Sequence, residues 1–107
     1  MNKVTIYGRI GKIEAESLKI NGEDVRKVKF SIADKVDKNT TVWHSVVAWR
    51  GLANTIEKYC KKGDRLVVNG SINSFKTSEG KEIHYIACSD VAFVETAQDS
   101  EQQQNPF

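Results

Sequence analysis

Residues 41–50, Thr41-Val42-Trp43-His44-Ser45-Val46-Val47-Ala48-Trp49-Arg50, run through Gly51 into Leu52-Ala53-Asn54-Thr55-Ile56-Glu57-Lys58-Tyr59-Cys60-Lys61-Lys62-Gly63, and the period changes between them. The first stretch is rich in β-branched and aromatic residues, so it predicts a strand. Val42, His44, Val46 and Ala48 share one face of it, and Trp43, Ser45, Val47 and Trp49 share the other. From Leu52 the spacing becomes helical. Leu52, Ile56, Tyr59 and Cys60 form one stripe, with Lys61 and Lys62 in the last turn and Gly63 at the stop.

Strand patterns lie on both sides of this junction. Residues 3–10 put Val4, Ile6 and Ile10 on one face and Lys3, Thr5, Tyr7 and Arg9 on the other. A weaker alternation continues over 12–20, and Asn21-Gly22 is a tight hairpin signal. Residues 25–34 then direct Val28, Phe30 and Ile32 to a core and Lys27, Lys29 and Ser31 outward, while Asp34 to Thr40 reads as a polar loop. Downstream, residues 65–77 predict a fourth strand, Ser78-Glu79-Gly80-Lys81 a turn, and 82–94 a fifth strand. The order of three strands, one helix and two strands predicts an all-β fold with one helix. This is the OB-fold, a five-stranded Greek-key barrel with its helix between strands 3 and 4 and a ligand-binding face on strands 2 and 3.

The chain has 107 residues, enough for one domain. Residues 1–95 are read as that domain and 96–107 as a short disordered acidic tail, because no apolar period survives past Glu95. Hydrophobic residues at 39% and charged residues at 28% suit a soluble domain. No apolar run is long enough to span a bilayer, and no secretion signal opens the chain, so the expectation is cytoplasmic with no membrane partner. Residues 1–97 hold all 16 Lys and Arg against 12 Asp and Glu, a net +4, whereas Asp99 and Glu101 give the tail −2. A basic body suits polyanionic partners.

Enzymatic readings fail on spacing. Gly8-Arg9-Ile10-Gly11-Lys12 lacks the four-residue gap and the following Ser or Thr of a phosphate loop, and reads as a strand bending at glycines. Cys60, at a helix C-terminus on the buried stripe, reads as a packed thiol rather than a nucleophile. His44, His84, Cys60 and Cys88 include no pair at close metal-ligand spacing, so neither a metal nor another cofactor is expected. No Ser, Cys or carboxylate is placed near His44 by sequence, which favours a structural or subunit-interface histidine over a base.

The outward aromatics carry more. Trp43 and Trp49 lie six residues apart on one strand face, about 20 Å at roughly 3.3 Å per residue. Strand parity alone leaves two readings open, a barrel interior filled by both or an outer face for separate stacked bases. Tyr7 lies between Lys3 and Arg9, Lys27 and Lys29 line strand two, and Phe75 and Thr77 share a face beside Lys76. Aromatic faces for bases interleaved with cations for phosphates are what single-stranded nucleic acid requires. No basic helix is available for a duplex major groove.

Trp43-His44-Ser45-Val46-Val47-Ala48-Trp49, Tyr59-Cys60-Lys61-Lys62-Gly63-Asp64, Val68-Asn69-Gly70-Ser71-Ile72 and the opening Asn2-Lys3-Val4 through Gly11 occur in an order that resembles the bacterial single-stranded DNA-binding protein family, from about residue 2 to 94. The resemblance implies sequence-independent binding of single-stranded DNA in replication, recombination and repair, without catalysis, by a nucleoid-associated homotetramer. It assigns Trp43, Trp49 and Phe75 or Thr77 as stacking positions and places His44 near a subunit interface. With the interleaving pattern, the expected DNA-binding set is Tyr7, Trp43, Trp49, Phe75, Thr77, Lys3, Arg9, Lys27, Lys29, Arg50 and Lys76. Asn105-Pro106-Phe107, with Asp99 and Glu101, is similar to the family's partner-recruiting tail. The region from Ala33 to Val36 lacks an aromatic that family members often carry. The other reading kept open is an OB-fold adaptor of a replication-restart or conjugation assembly that binds DNA weakly.

Overall fold

The computed structural model describes residues 2–96. Five strands, β1 (Val4–Ile20), β2 (Glu23–Asp37), β3 (Thr40–Trp49), β4 (Arg65–Lys76) and β5 (Glu82–Glu95), close a barrel in the order β1-β2-β3-β5-β4, with helix α1 (Arg50–Tyr59) between β3 and β4. All neighbours are antiparallel except β3 and β5, which pair in parallel through Val46↔Ile86 and Val47↔Ala87. An odd number of strands closed into a ring cannot alternate direction throughout, so one parallel pair is obligatory. The strands are also long for a small domain. β1 serves two partners in succession: residues 4–9 pair with β4 and residues 9–20 with β2, across an irregularity between Ile10 and Ile13. Gly8 permits the close approach at this bend, since a Cβ there would overlap the Ala33 carbonyl.

The inward alternation is as expected: Ile10, Val28, Phe30, Ile32, Val46, Ala48, Leu66, Val68 and Ile86 are buried together. Ala53, Ile56 and Cys60 of the α1 region join them in the same core. Burying a side chain of the size of Ile10 or Leu66 contributes about 1.5–3 kcal/mol. The segment from Asp34 to Thr40 is a correction, because the β2 ladder runs on to Asp37 and β3 resumes at Thr40, leaving a tight connection instead of a long loop.

The helix differs in detail. It begins at Arg50, placed by alternation in the preceding strand, whose φ of 59° turns the chain out of β3. Tyr59 is exposed rather than on the buried stripe, which Ala53 takes with Ile56. The helix ends at Tyr59, so Lys58 is its last-turn cation and Lys61 and Lys62 lie beyond it. They belong to a turn that docks on β1: the Ile10 amide donates to Asp64 O at 2.9 Å, the Gly63 amide to Ile10 O at 2.8 Å, and the Arg9 guanidinium to Gly63 O at 2.8 Å. Buried Asp64 accepts the Lys61 amide at 2.8 Å, and Gly63 takes a φ of 92°.

Candidate nucleic-acid interface

Because Val46 and Ala48 point into the core, Trp43, Ser45, Val47 and Trp49 lie on the opposite face of β3, where Val47 is itself covered at 8% exposure. Trp43 is 59% exposed and Trp49 38%, which excludes the barrel-interior reading of the tryptophans. Across the ladder they meet outward residues of β2: Lys27↔Trp49, Lys29↔Val47, Ser31↔Ser45 and Ala33↔Trp43. The Trp43 indole lies against Gly11 of β1, where any Cβ would overlap it. Lys27 Nζ stands 5.4 Å from the Trp49 ring centroid, within cation–π range.

The parallel pairing of β3 with β5 brings the β4–β5 hairpin beside this face. Phe75 is 53% exposed, lies opposite Ile83, and stands 6.0 Å from Tyr85 between ring centroids at a 52° tilt. Lys27, Lys29, Trp49, Phe75 and Tyr85, with Ser45, Val47 and Ile83, line one groove of about 180 Å³. Of the two residues left open on strand four, Phe75 is in the strand and the groove. Thr77 is past the strand end and closes the turn, its amide donating to Lys81 O at 2.8 Å and its hydroxyl accepting the Lys81 amide at 3.2 Å. Tyr85 was missed by sequence reasoning. The available signal was parity, since an inward Ile86 turns Tyr85 outward.

The sequence profile of the Single-strand binding protein family matches residues 1–103. This chain belongs to that family. It is 33% identical over 88 residues to the Single-stranded DNA-binding protein of Malacoplasma penetrans (strain HF-2), covering 80% of this chain and 47% of that protein. It is 34% identical over 90 residues to that of Neisseria meningitidis serogroup A, covering 77% and 50% respectively. The chain thus spans about half the length of these relatives. Its structure is similar to that of the Plasmodium falciparum SSB complex with ssDNA, with a TM-score of 0.73 at 29% identity over 89% of this chain and 96% of the other.

In this member of the single-strand binding protein family the remaining expected site residues do not line the groove. Tyr7 is 49% exposed but pairs with Val67, on the β1–β4 side of the barrel. Arg9, beside it, is committed to Gly63 O and stands 3.7 Å from Glu95. Lys3 precedes β1, Lys76 ends β4, and Arg50, at the start of α1, stands 3.7 Å from Glu23.

His44 is half-buried, with Nε2 3.3 Å from an Asp34 carboxylate oxygen. It borders a cavity of about 290 Å³ together with Val4, Ile6, Ile72 and His84. Cys60 is buried, and burial, aided by the Asp64 charge, pushes its thiol up to about 11, so it is protonated at neutral pH and poor as a nucleophile. Among the described residues no group of three or more His, Cys, Asp and Glu converges as a metal site, and no helix is long and apolar enough to cross a membrane. Asp99, Glu101, Asn105, Pro106 and Phe107 lie outside the described residues.

Proposed function

We propose that this chain binds single-stranded DNA without sequence preference and protects it during replication, recombination and repair, a binding role rather than a catalytic one. The groove that brings Trp49, Phe75 and Tyr85 together with Lys27 and Lys29 carries this reading. Every base has a π-face, so aromatic platforms accept any sequence, while lysines follow the phosphates. Trp43, on the same β3 face, extends the stacking surface, and Lys3, Arg50 and Lys76 supply peripheral cations. Arg9 and Tyr7 would act on strand that continues around the β1–β4 side, and Thr77 would contribute by holding the hairpin turn next to Phe75. The similar Plasmodium falciparum SSB is in complex with ssDNA, which supports the same ligand here.

The test is quenching of Trp43 and Trp49 fluorescence on titration with an unstructured poly-pyrimidine strand, against duplex DNA, at several salt concentrations. Strong quenching by the single strand alone is expected, with log affinity falling against log salt at a slope of about −0.7 per phosphate neutralised. Equal response to duplex, or none to either, overturns it.

The same reading includes a homotetramer in the cytoplasm, associated with the nucleoid. The half-exposed apolar residues around His44, including Ile72 at 49% exposure, support a subunit contact there. Light scattering on the full chain and on His44→Asp tests it, the variant dissociating if His44 borders the contact. The tail residues Asp99, Glu101 and Asn105-Pro106-Phe107 would recruit replication and repair proteins. Undiminished pull-down of such partners after deletion of residues 105–107 would exclude that role.

A further inference from the structure

The groove lysines face acids on their other side. On the outer surface of the β1–β2 hairpin, Glu16 is registered directly opposite Lys27 and Glu14 directly opposite Lys29. Glu16 Oε1 stands 3.7 Å from Lys27 Nζ, and Glu14 Oε1 is bonded to Lys12 Nζ at 2.8 Å. Glu14, Ala15, Glu16, Lys27 and Lys29 border a second depression of about 300 Å³, next to the aromatic groove that the same two lysines line. Each transverse row on this face therefore reads carboxylate, ammonium, then the β3 residue: Glu16, Lys27, Trp49 and Glu14, Lys29, Val47.

We infer that Glu14 and Glu16 are built-in competitors of the DNA phosphates for Lys27 and Lys29, and so set the affinity and the salt dependence of the groove. This rests on the single-stranded DNA reading proposed above. In the free chain the ammonium of Lys27 is shared between the Glu16 carboxylate and the Trp49 face. A base stacking on Trp49 has to displace the ammonium from the ring. The lysine then exchanges one anion, Glu16, for another, a phosphate.

Exposed ion pairs are weakly held, so the exchange is open to DNA. The Glu16 carboxylate so released, and Glu14, which is bonded to Lys12 opposite Lys29, nevertheless stay beside the strand and repel it. Fewer net charges are then neutralised than the lysine count suggests, and the bound strand is easier to release. Glu14 and Glu16 are thus positioning residues that act through the lysines.

The test is poly-pyrimidine titration of the full chain, with Trp quenching read at low, intermediate and high salt, for the wild type, Glu16→Gln and the double variant Glu14→Gln/Glu16→Gln. Both carboxylates are on an exposed hairpin surface, and thermal melting reports that the fold is kept. Tighter binding at low salt is expected, with the gain shrinking as salt rises and the log–log slope steepening by up to about 0.7 for the release of Lys27. A second measurement repeats Glu16→Gln in a Lys27→Met background, where the aliphatic stem can still cover Trp49. The gain from Glu16→Gln is expected to shrink there to the part that direct repulsion between the carboxylate and the strand supplies.

Wild-type binding with unchanged affinity and slope in the variants overturns this inference alone, as does a gain that is undiminished without Lys27. A wild type that does not respond to the single strand removes the DNA-binding reading and this inference with it.

Discussion

The Lys27 ammonium lies 5.4 Å from the ring centroid of Trp49, its direct neighbour across β2 and β3. One pair of side chains thus supplies both things a nucleic acid strand offers to grip, a face for a base and a charge for a phosphate. Trp49→Ala is expected to weaken poly-pyrimidine binding by about 1–3 kcal/mol with the melting temperature little changed. Unaltered affinity in a folded variant would remove Trp49 from the interface.

Trp43 tests the other end of the same face. Its indole lies against Gly11, where a side chain has no room. Gly11→Val is expected to push the indole away from β1, altering Trp43 emission in the free protein and weakening single-strand binding. Emission and affinity both equal to the wild type would show that the indole does not need this seat.

Phe75 and Tyr85 are in ring contact, so their contributions are coupled. Each single alanine variant is expected to lose about 1–3 kcal/mol of binding, and the double variant less than the sum. Tyr7→Ala, on the β1–β4 side, is expected to lose less than Tyr85→Ala. Strict additivity, or a larger loss from Tyr7→Ala, would relocate the centre of the strand's path.

Asp64 is 4% exposed, and its carboxylate accepts the Lys61 amide at 2.8 Å. Asp64→Ala leaves that amide without its partner in the turn that carries the chain from α1 to β4. A stability loss of about 1–3 kcal/mol is expected in denaturant titration, compared at equal m-value.

Cys60 and Cys88 give the fold an alkaline limit. Burial, the larger cause, raises each thiol from its ordinary 9.0 to about 11, with Asp64 adding to the effect at Cys60 and Asp90 at Cys88. An unfolded chain loses these protons at lower pH than the folded one. The thiol contribution to stability is therefore fully present below about pH 9 and is lost as pH rises towards 11. Melts under reducing conditions are expected to decline over that window, less steeply in Cys88→Ala than in the wild type. A parallel decline in both would assign the alkaline loss to other groups.

Much of this protein was written in local pattern. Alternation at period two in Val28-Phe30-Ile32 and Val46-Ala48, its replacement by period 3.6 after Arg50, and the turns at Asn21-Gly22 and Ser78-Glu79-Gly80 determined the element order and the paired faces of each strand. Such patterns are legible because local backbone geometry puts residues two apart in a strand, or three and four apart in a helix, on the same face. They do not say which face of β3 is interior, and parity left Trp43 and Trp49 open until the barrel closed with Val46 and Ala48 inside. The reach of β2 to Asp37, the exposure of Tyr59, and the turn that takes Lys61 and Lys62 out of the helix also depended on contacts between distant segments.

So did the groove itself. Lys27, Trp49, Phe75 and Tyr85 come from four strands, and only the parallel seam of β3 and β5, required by an odd-stranded closed barrel, brings them to one surface. The sequence by itself determined which residues alternate and where the period breaks. Closure of the barrel decided which of them meet.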